Sequence, residues 1–171
     1  MLAFANANDL VDTGYRSTLN PLIIASGQNS SLPHAQVTKR KFTDGDMITV
    51  DLTLRYKGYI SDATRTFGLG SISKEAITVY EIVKESQKAG LKAVRPQKTC
   101  ASVDDACRKI IEEYHYGPHF IHSTGHGIGL DVHEGPNISA NNKEKPKKDM
   151  AITVEPGIYI QKKFGVRLED S

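Results

Sequence analysis

The chain has 171 residues, enough for one domain with a sizeable buried core, and 39% hydrophobic with 25% charged residues is the balance of a globular protein. Lysine plus arginine (22) nearly cancel aspartate plus glutamate (20), so no basic surface for nucleic acid is expected, and the Lys-rich run at 143–148 reads as a solvated loop. No apolar run approaches the roughly 18 residues of a membrane helix, and no charged-then-apolar leader opens the chain; the expectation is a cytoplasmic protein with no membrane partner.

Residues 5–21 are polar and without a period. The first regular pattern lies at 46–70, where Ile48, Val50, Leu52 and Leu54 alternate with Thr49, Asp51, Thr53 and Arg55, the period of a half-buried strand. Tyr56-Lys57-Gly58 supplies a tight turn, and 59–67 returns as the second strand of a hairpin. Ser73 then caps a helix with apolar positions at Ala76, Val79, Tyr80, Val83, Ala89 and Ala93, ending before Pro96. A second helix carries Val103, Ala106, Cys107, Ile110, Ile111 and Tyr114 and stops near Gly117-Pro118. Its two cysteines, Cys100 and Cys107, are not spaced as a CxxC metal pair and fit a reducing compartment. Short strands follow around 119–124, 130–133, 151–154, 157–161 and 165–169. Sheet, two helices, sheet is an α+β order, with helices on one face of a curved antiparallel sheet.

A hairpin turning at 56–58 places Asp51 and Asp62 on adjacent strands and one face, within about 4.5–8 Å of each other. They are either two solvated carboxylates or a pair that needs a cation between them. Glu155 in TVEPGIY and Glu169 in GVRLED each follow a short apolar run and look inward. Taken singly, Glu155 also fits a strand end and Glu169 a partner of Arg167 or a lysine. Taken together with one imidazole, four carboxylates form an oxygen-rich set suited to Mn²⁺, Co²⁺, Fe²⁺ or Zn²⁺. Four negative charges balance two divalent ions rather than one.

Residues 122–136, HSTGHGIGLDVHEGP, hold three histidines, His122, His126 and His133. As a phosphate loop the run fails, because its third glycine falls one residue early for GxGxxG and no βαβ pattern surrounds it. HEGP is no HExxH helix, since glycine and proline forbid one. A glycine-rich strand and loop that approaches other backbone closely is what remains.

These residues resemble a known family. IASGQNSSLPHA, DLTLRYKGYISDATRTF, HSTGHGIGLDVHEGP, TVEPGIY and GVRLED, in this order, are similar to the motifs of the pita-bread metallopeptidases, the family of methionine aminopeptidase, aminopeptidase P and prolidase. The resemblance runs from about Ile23 to the last residue. It implies a pita-bread catalytic domain over 1–171, with a preceding domain, opening helices and a C-terminal tail missing. By it, Asp51, Asp62, His126, Glu155 and Glu169 are ligands to two divalent ions, Mn²⁺ or Co²⁺ ahead of Zn²⁺ or Fe²⁺. His133 touches the substrate carbonyl, His34 assists proton movement or binding, His122 and Arg167 bind substrate, and Glu155 shuttles a proton.

The PHA, PGIYI and GVRLED motifs resemble the Xaa-Pro branch. The implied reaction is hydrolysis of the bond between an N-terminal residue and proline in a peptide, by a hydroxide held on the two metals. The family also allows a homodimer. Methionine aminopeptidase, a catalytically inactive binding module and a metal-free creatinase-like hydrolase are the alternatives. His115, at a helix end, is expected to be structural, and His119 to pack in the core or to support the site residues.

Overall fold

The structure, a computed structural model, describes residues 15–17 as backbone and residues 22–171 in full. The polar opening segment lies otherwise outside the described residues. Strands β1 (Tyr15–Ser17) and β2 (Ile23–Ser26) both pair antiparallel with β3 (Met47–Tyr56), which forms a ten-residue ladder with β4 (Tyr59–Gly68). The two-residue connection has positive φ at both Lys57 (48°) and Gly58 (92°), the turn whose twist matches that of the strands it joins. The hairpin therefore falls within a residue or so of the expected position.

Its burial is inverted. The face bearing Thr49, Asp62, Thr64 and Thr66 is buried, whereas Ile48, Val50, Leu52 and Leu54 are only half-buried. Alternation was read correctly, but hydrophobicity alone does not say which face turns inward. The polar face is the one that meets the C-terminal strands: Glu169 N donates to Thr64 O, and Arg167 N donates to Thr66 Oγ1.

Helix α1 spans Lys74–Ala93, with the Ser73 hydroxyl accepting from Ala76 N, and α2 spans Cys100–Glu113, with Thr99 doing the same for Ser102 N. The buried stripe of α1 is Ala76, Val79, Ile82, Val83, Ser86, Gln87 and Gly90; Tyr80, Ala89 and Ala93 lie beside it and are only partly covered. At Gly90 a Cβ would collide with Cys107 Sγ, so glycine sets how closely the two helices approach. Together they pack on β6 (Glu134–Ile138), β8 (Gly157–Ile160) and β9 (Phe164–Arg167) around Val79, Val83, Ile111, Ile138, Ile158 and Val166, all buried.

The expected strand at 119–124 is instead a 3₁₀ turn at Gly117–His119 followed by an irregular run that bends at His122 and Thr124, and 130–133 is a loop. The strands lie one step later, at β5 (Gly125–Ile128) and β6, with β7 (Ala151–Ile152) on the other side of β5. Glycine explains the displacement. A Cβ at Gly125 would strike Thr153 O and one at Gly127 would strike Gly135 O, so β5 forms where the side chains vanish. The pairings among the described residues are antiparallel, with β8 and β9 as a hairpin and an isolated Val154–Asp170 bridge joining the C-terminal end to the link between β7 and β8. Among the described residues no helix is long and apolar enough to cross a membrane.

Candidate metal centre

The hairpin register places Thr53 opposite Asp62 and Asp51 opposite Thr64. Asp51 and Asp62 are thus diagonal neighbours on one face, and that face points into a cavity of about 620 Å³. The mouth of β5 delivers His126, the loop before β6 His133, and the turn after Pro33 His34. Glu155 arrives on the link between β7 and β8 and Glu169 just past β9. All nine residues singled out in the sequence, with His122 and Arg167 completing the set, line this one cavity.

Within it, Asp62, His126 and Glu169 each offer a ligand atom, all within 4.8 Å of one another. Glu155 Oε1 lies 3.3 Å from His126 Nε2, and Asp62 Oδ2 lies 3.9 Å from the same nitrogen. His126 Nδ1 is 3.0 Å from Gly127 O. A carbonyl only accepts, so Nδ1 carries the proton in that contact and Nε2 is left facing the carboxylates, the arrangement a metal-binding imidazole needs. Two hydroxyls aim carboxylates in the same way. Thr53 Oγ1 donates to Asp62 Oδ1 at 3.1 Å, and Thr64 Oγ1 donates to Glu169 Oε2 at 2.6 Å.

Electrostatics gives the same picture. Burial, then the charges of Glu155 and Asp62, pushes Glu169 up to about 9, and burial with the Asp51 charge pushes Asp62 up to about 6. Burial would also raise Glu155 and lower His126, but their mutual hydrogen bond and charges outweigh it, leaving Glu155 below and His126 above the ordinary range. The attraction between His126 and Glu155 thus offsets part of a carboxylate repulsion that a cation would offset more completely. A buried, oxygen-rich donor set with one imidazole, each ligand held by a second group, fits divalent metal.

Asp51 is held differently. Its Oδ2 accepts from Arg167 Nη2 at 2.7 Å. Arg167 is 3% exposed and also donates to Tyr159 Oη, Pro33 O and Thr64 Oγ1. Four contacts consume most of its five donors, so in this state the guanidinium orients Asp51 rather than presenting itself to substrate. His122 is likewise engaged. Its Nδ1 lies 2.7 Å from Ser123 O and its Nε2 2.8 Å from Tyr159 Oη. Burial lowers the His122 pKa, leaving a neutral ring with the proton on Nδ1, so Tyr159 O–H donates to Nε2 while accepting from Arg167. Asp51, Arg167, Tyr159 and His122 thus form one chain of hydrogen bonds. His133 stands with its ring 4.4 Å from that of His126, and burial and the His126 charge lower its pKa. His115 and His119 lie outside the cavity lining, the His119 ring tilted against that of Tyr116 with centroids 6.1 Å apart.

Residues 2–171 match the profile described as Metallopeptidase family M24. The chain belongs to that family. The Xaa-Pro dipeptidase of Pyrococcus furiosus is 47% identical over 149 residues, covering 87% of this chain and 43% of that protein. The solved structure titled prolidase from Pyrococcus furiosus superposes with a TM-score of 0.85 at 47% identity, over 87% of this chain and 44% of that one. The Xaa-Pro dipeptidase from Bacillus anthracis gives a TM-score of 0.91 at 40% identity, over 95% and 46%. The chain spans less than half the length of the curated relatives it matches. As an M24 member it has the pita-bread fold that the five motifs implied.

Sequence reasoning passed over Tyr159, Thr53, Thr64 and the pair Asp104 and Arg108. Tyr159 sits inside the quoted motif and reads as a strand aromatic, while the threonines read as β-formers. Asp104 left a usable signal. It occupies the i+4 position of the stripe Cys100, Val103, Asp104, Cys107, Ile111, where a carboxylate is out of place.

Proposed function

We propose that the protein is a metal-dependent exopeptidase that hydrolyses the bond between an N-terminal residue and proline. The observation that carries this reading is the convergence of all nine motif residues on one cavity, three of them with ligand atoms within 4.8 Å. Printed names of relatives, Xaa-Pro dipeptidase among them, support the substrate class.

Asp51, Asp62, His126, Glu155 and Glu169 would hold two divalent cations, Mn²⁺ or Co²⁺ suiting the donor set. Metal bound there supplies a water of lowered pKa as nucleophile and polarises the scissile carbonyl. Glu155 brings an ionised carboxylate into the cavity, the state from which it accepts a proton at Oε1. His133, neutral by its lowered pKa, gives a hydrogen bond to the developing oxyanion. His34, which also lines the cavity, would bind the peptide or relay the proton to the leaving imino nitrogen. Ile23, Pro33, Ala35 and Val132 give the same cavity an apolar side for the proline ring. A reducing, cytoplasmic location fits Cys100 and Cys107, both buried and free.

Substrate preference tests the reading. With Mn²⁺ or Co²⁺ supplied, Ala-Pro and longer Xaa-Pro peptides should be cleaved and Met-Ala should not. The reverse preference would assign the chain to methionine aminopeptidases, and metal binding without cleavage of either would favour a binding module.

A further inference from the structure

The run from Phe120 to Thr124 leads directly into His126, yet it belongs to no strand. At its far end Thr124 N donates to Ile138 O at 2.9 Å; the side-chain contacts that hold the rest of it come from α2. Asp104, wholly buried, accepts Arg108 Nε at 2.9 Å and Arg108 Nη2 at 3.0 Å, and also Thr124 Oγ1 at 2.8 Å and Thr124 N at 3.3 Å. Arg108 then donates from Nη1 to Phe120 O and from Nη2 to His122 O, both at 3.1 Å, with its guanidinium 4.1 Å over the Phe120 ring. Phe120, His122 and Thr124 thus all meet the helix through Asp104 and Arg108, although the run bends at His122 and at Thr124. Thr124 passes the constraint on, because its carbonyl accepts Glu155 N at 2.7 Å. His126 and Glu155 are therefore both referenced to a single helix turn.

We propose that Asp104 and Arg108 form a positioning clamp that sets the separation and aim of His126 and Glu155. On the reading that these two residues hold a divalent cation, the clamp sets the affinity of the site. An exposed i,i+4 pair on a helix merely decorates its surface. This pair differs because the carboxylate is buried and every contact outside the helix goes to the histidine run. Only a planar fork reaches one carboxylate and two carbonyls at once, which a lysine ammonium cannot do.

Metal-stripped protein and the variants Arg108→Met, Arg108→Lys and Ile111→Val are to be titrated with Co²⁺, and amide NMR spectra of the metal-free forms compared. Ile111→Val thins the core on the same helix while leaving the clamp intact. The clamp predicts Co²⁺ affinity about 10- to 100-fold weaker in R108M, the loss typical when a group behind a metal ligand is removed. R108K should fail to restore it, I111V should match the parent, and amide shifts in both Arg108 variants should concentrate at 120–126 and Glu155. Unchanged affinity in R108M, or equal losses in R108M and I111V, overturns the proposal. Should R108M fail to fold, R108K decides on the same criteria. If the parent binds no Co²⁺, the metal reading itself fails and the amides alone judge the clamp: shifts confined to the histidine run and Glu155 support it, and their absence overturns it.

Discussion

Replacing Glu169 by glutamine should stabilise the metal-free protein while destroying its response to metal. Glu169 is 2% exposed, and burial beside Glu155 and Asp62 raises its pKa from 4.5 to about 9. Below pH 4.5 the carboxyl is neutral whether the chain is folded or not, and it contributes no pH dependence. Above 4.5 the unfolded chain ionises and the folded one does not, so unfolding releases a proton and stability falls until the pH reaches the folded value. At pH 7 that difference is about 3 kcal/mol, at roughly 1.4 kcal/mol per pH unit. Glutamine keeps the shape, accepts the Thr64 hydroxyl through its carbonyl, and turns its amide hydrogens toward the Asp62 carboxylate. For a chain of this size the gain corresponds to roughly 6–12 °C in Tm. Thermal melts of parent and E169Q in EDTA, from pH 4.5 to 8, read it directly. The gap should be near zero at pH 4.5 and widen steadily; saturating Mn²⁺ or Co²⁺ should lift the parent and leave the variant unmoved. A gap independent of pH, or a variant less stable than the parent at pH 8 in EDTA, would refute the reasoning.

Tyr159→Phe leaves His122 Nε2 and one of the two Arg167 Nη1 hydrogens without a partner in a buried setting, the other still reaching Pro33 O, and should cost about 1–3 kcal/mol in urea unfolding; an unchanged midpoint would remove Tyr159 from the Asp51 chain. Thr64→Val deletes the hydroxyl that aims Glu169 and should weaken Co²⁺ binding about 10-fold or more by calorimetry, with retained affinity counting against an orienting role. Gly125→Ala drives a Cβ into Thr153 O and should destabilise by about 3 kcal/mol or more, seen as a lowered Tm or loss of soluble protein.

Much of this architecture is written in local pattern. Alternation at 47–56, the turn at Lys57-Gly58, the Ser73 cap and the stop before Pro96 are decided by near neighbours, and the elements lie where those signals put them. The burial of the hairpin is not local. Which face of β3 and β4 turns inward depends on Arg167 and Glu169, a hundred residues away, and the polar face wins because it carries the site. The displacement of β5 is also a matter of packing, since glycine weakens a strand pattern yet is required where backbones close to contact. For the site, chemical type and motif order located the cavity-lining residues. Their partners escaped notice because hydrogen bonds such as Arg167 to Tyr159 or Arg108 to His122 O leave no period in the sequence.

The most direct test of the account is hydrolysis of Ala-Pro by metal-stripped protein, followed as Co²⁺ or Mn²⁺ is returned in measured equivalents with bound metal determined in parallel. Activity should be absent in EDTA, rise with metal content and level off near two ions per chain, and Asp62→Asn should abolish both binding and turnover. Hydrolysis that persists in EDTA, or a folded chain that takes up no divalent metal, would contradict it.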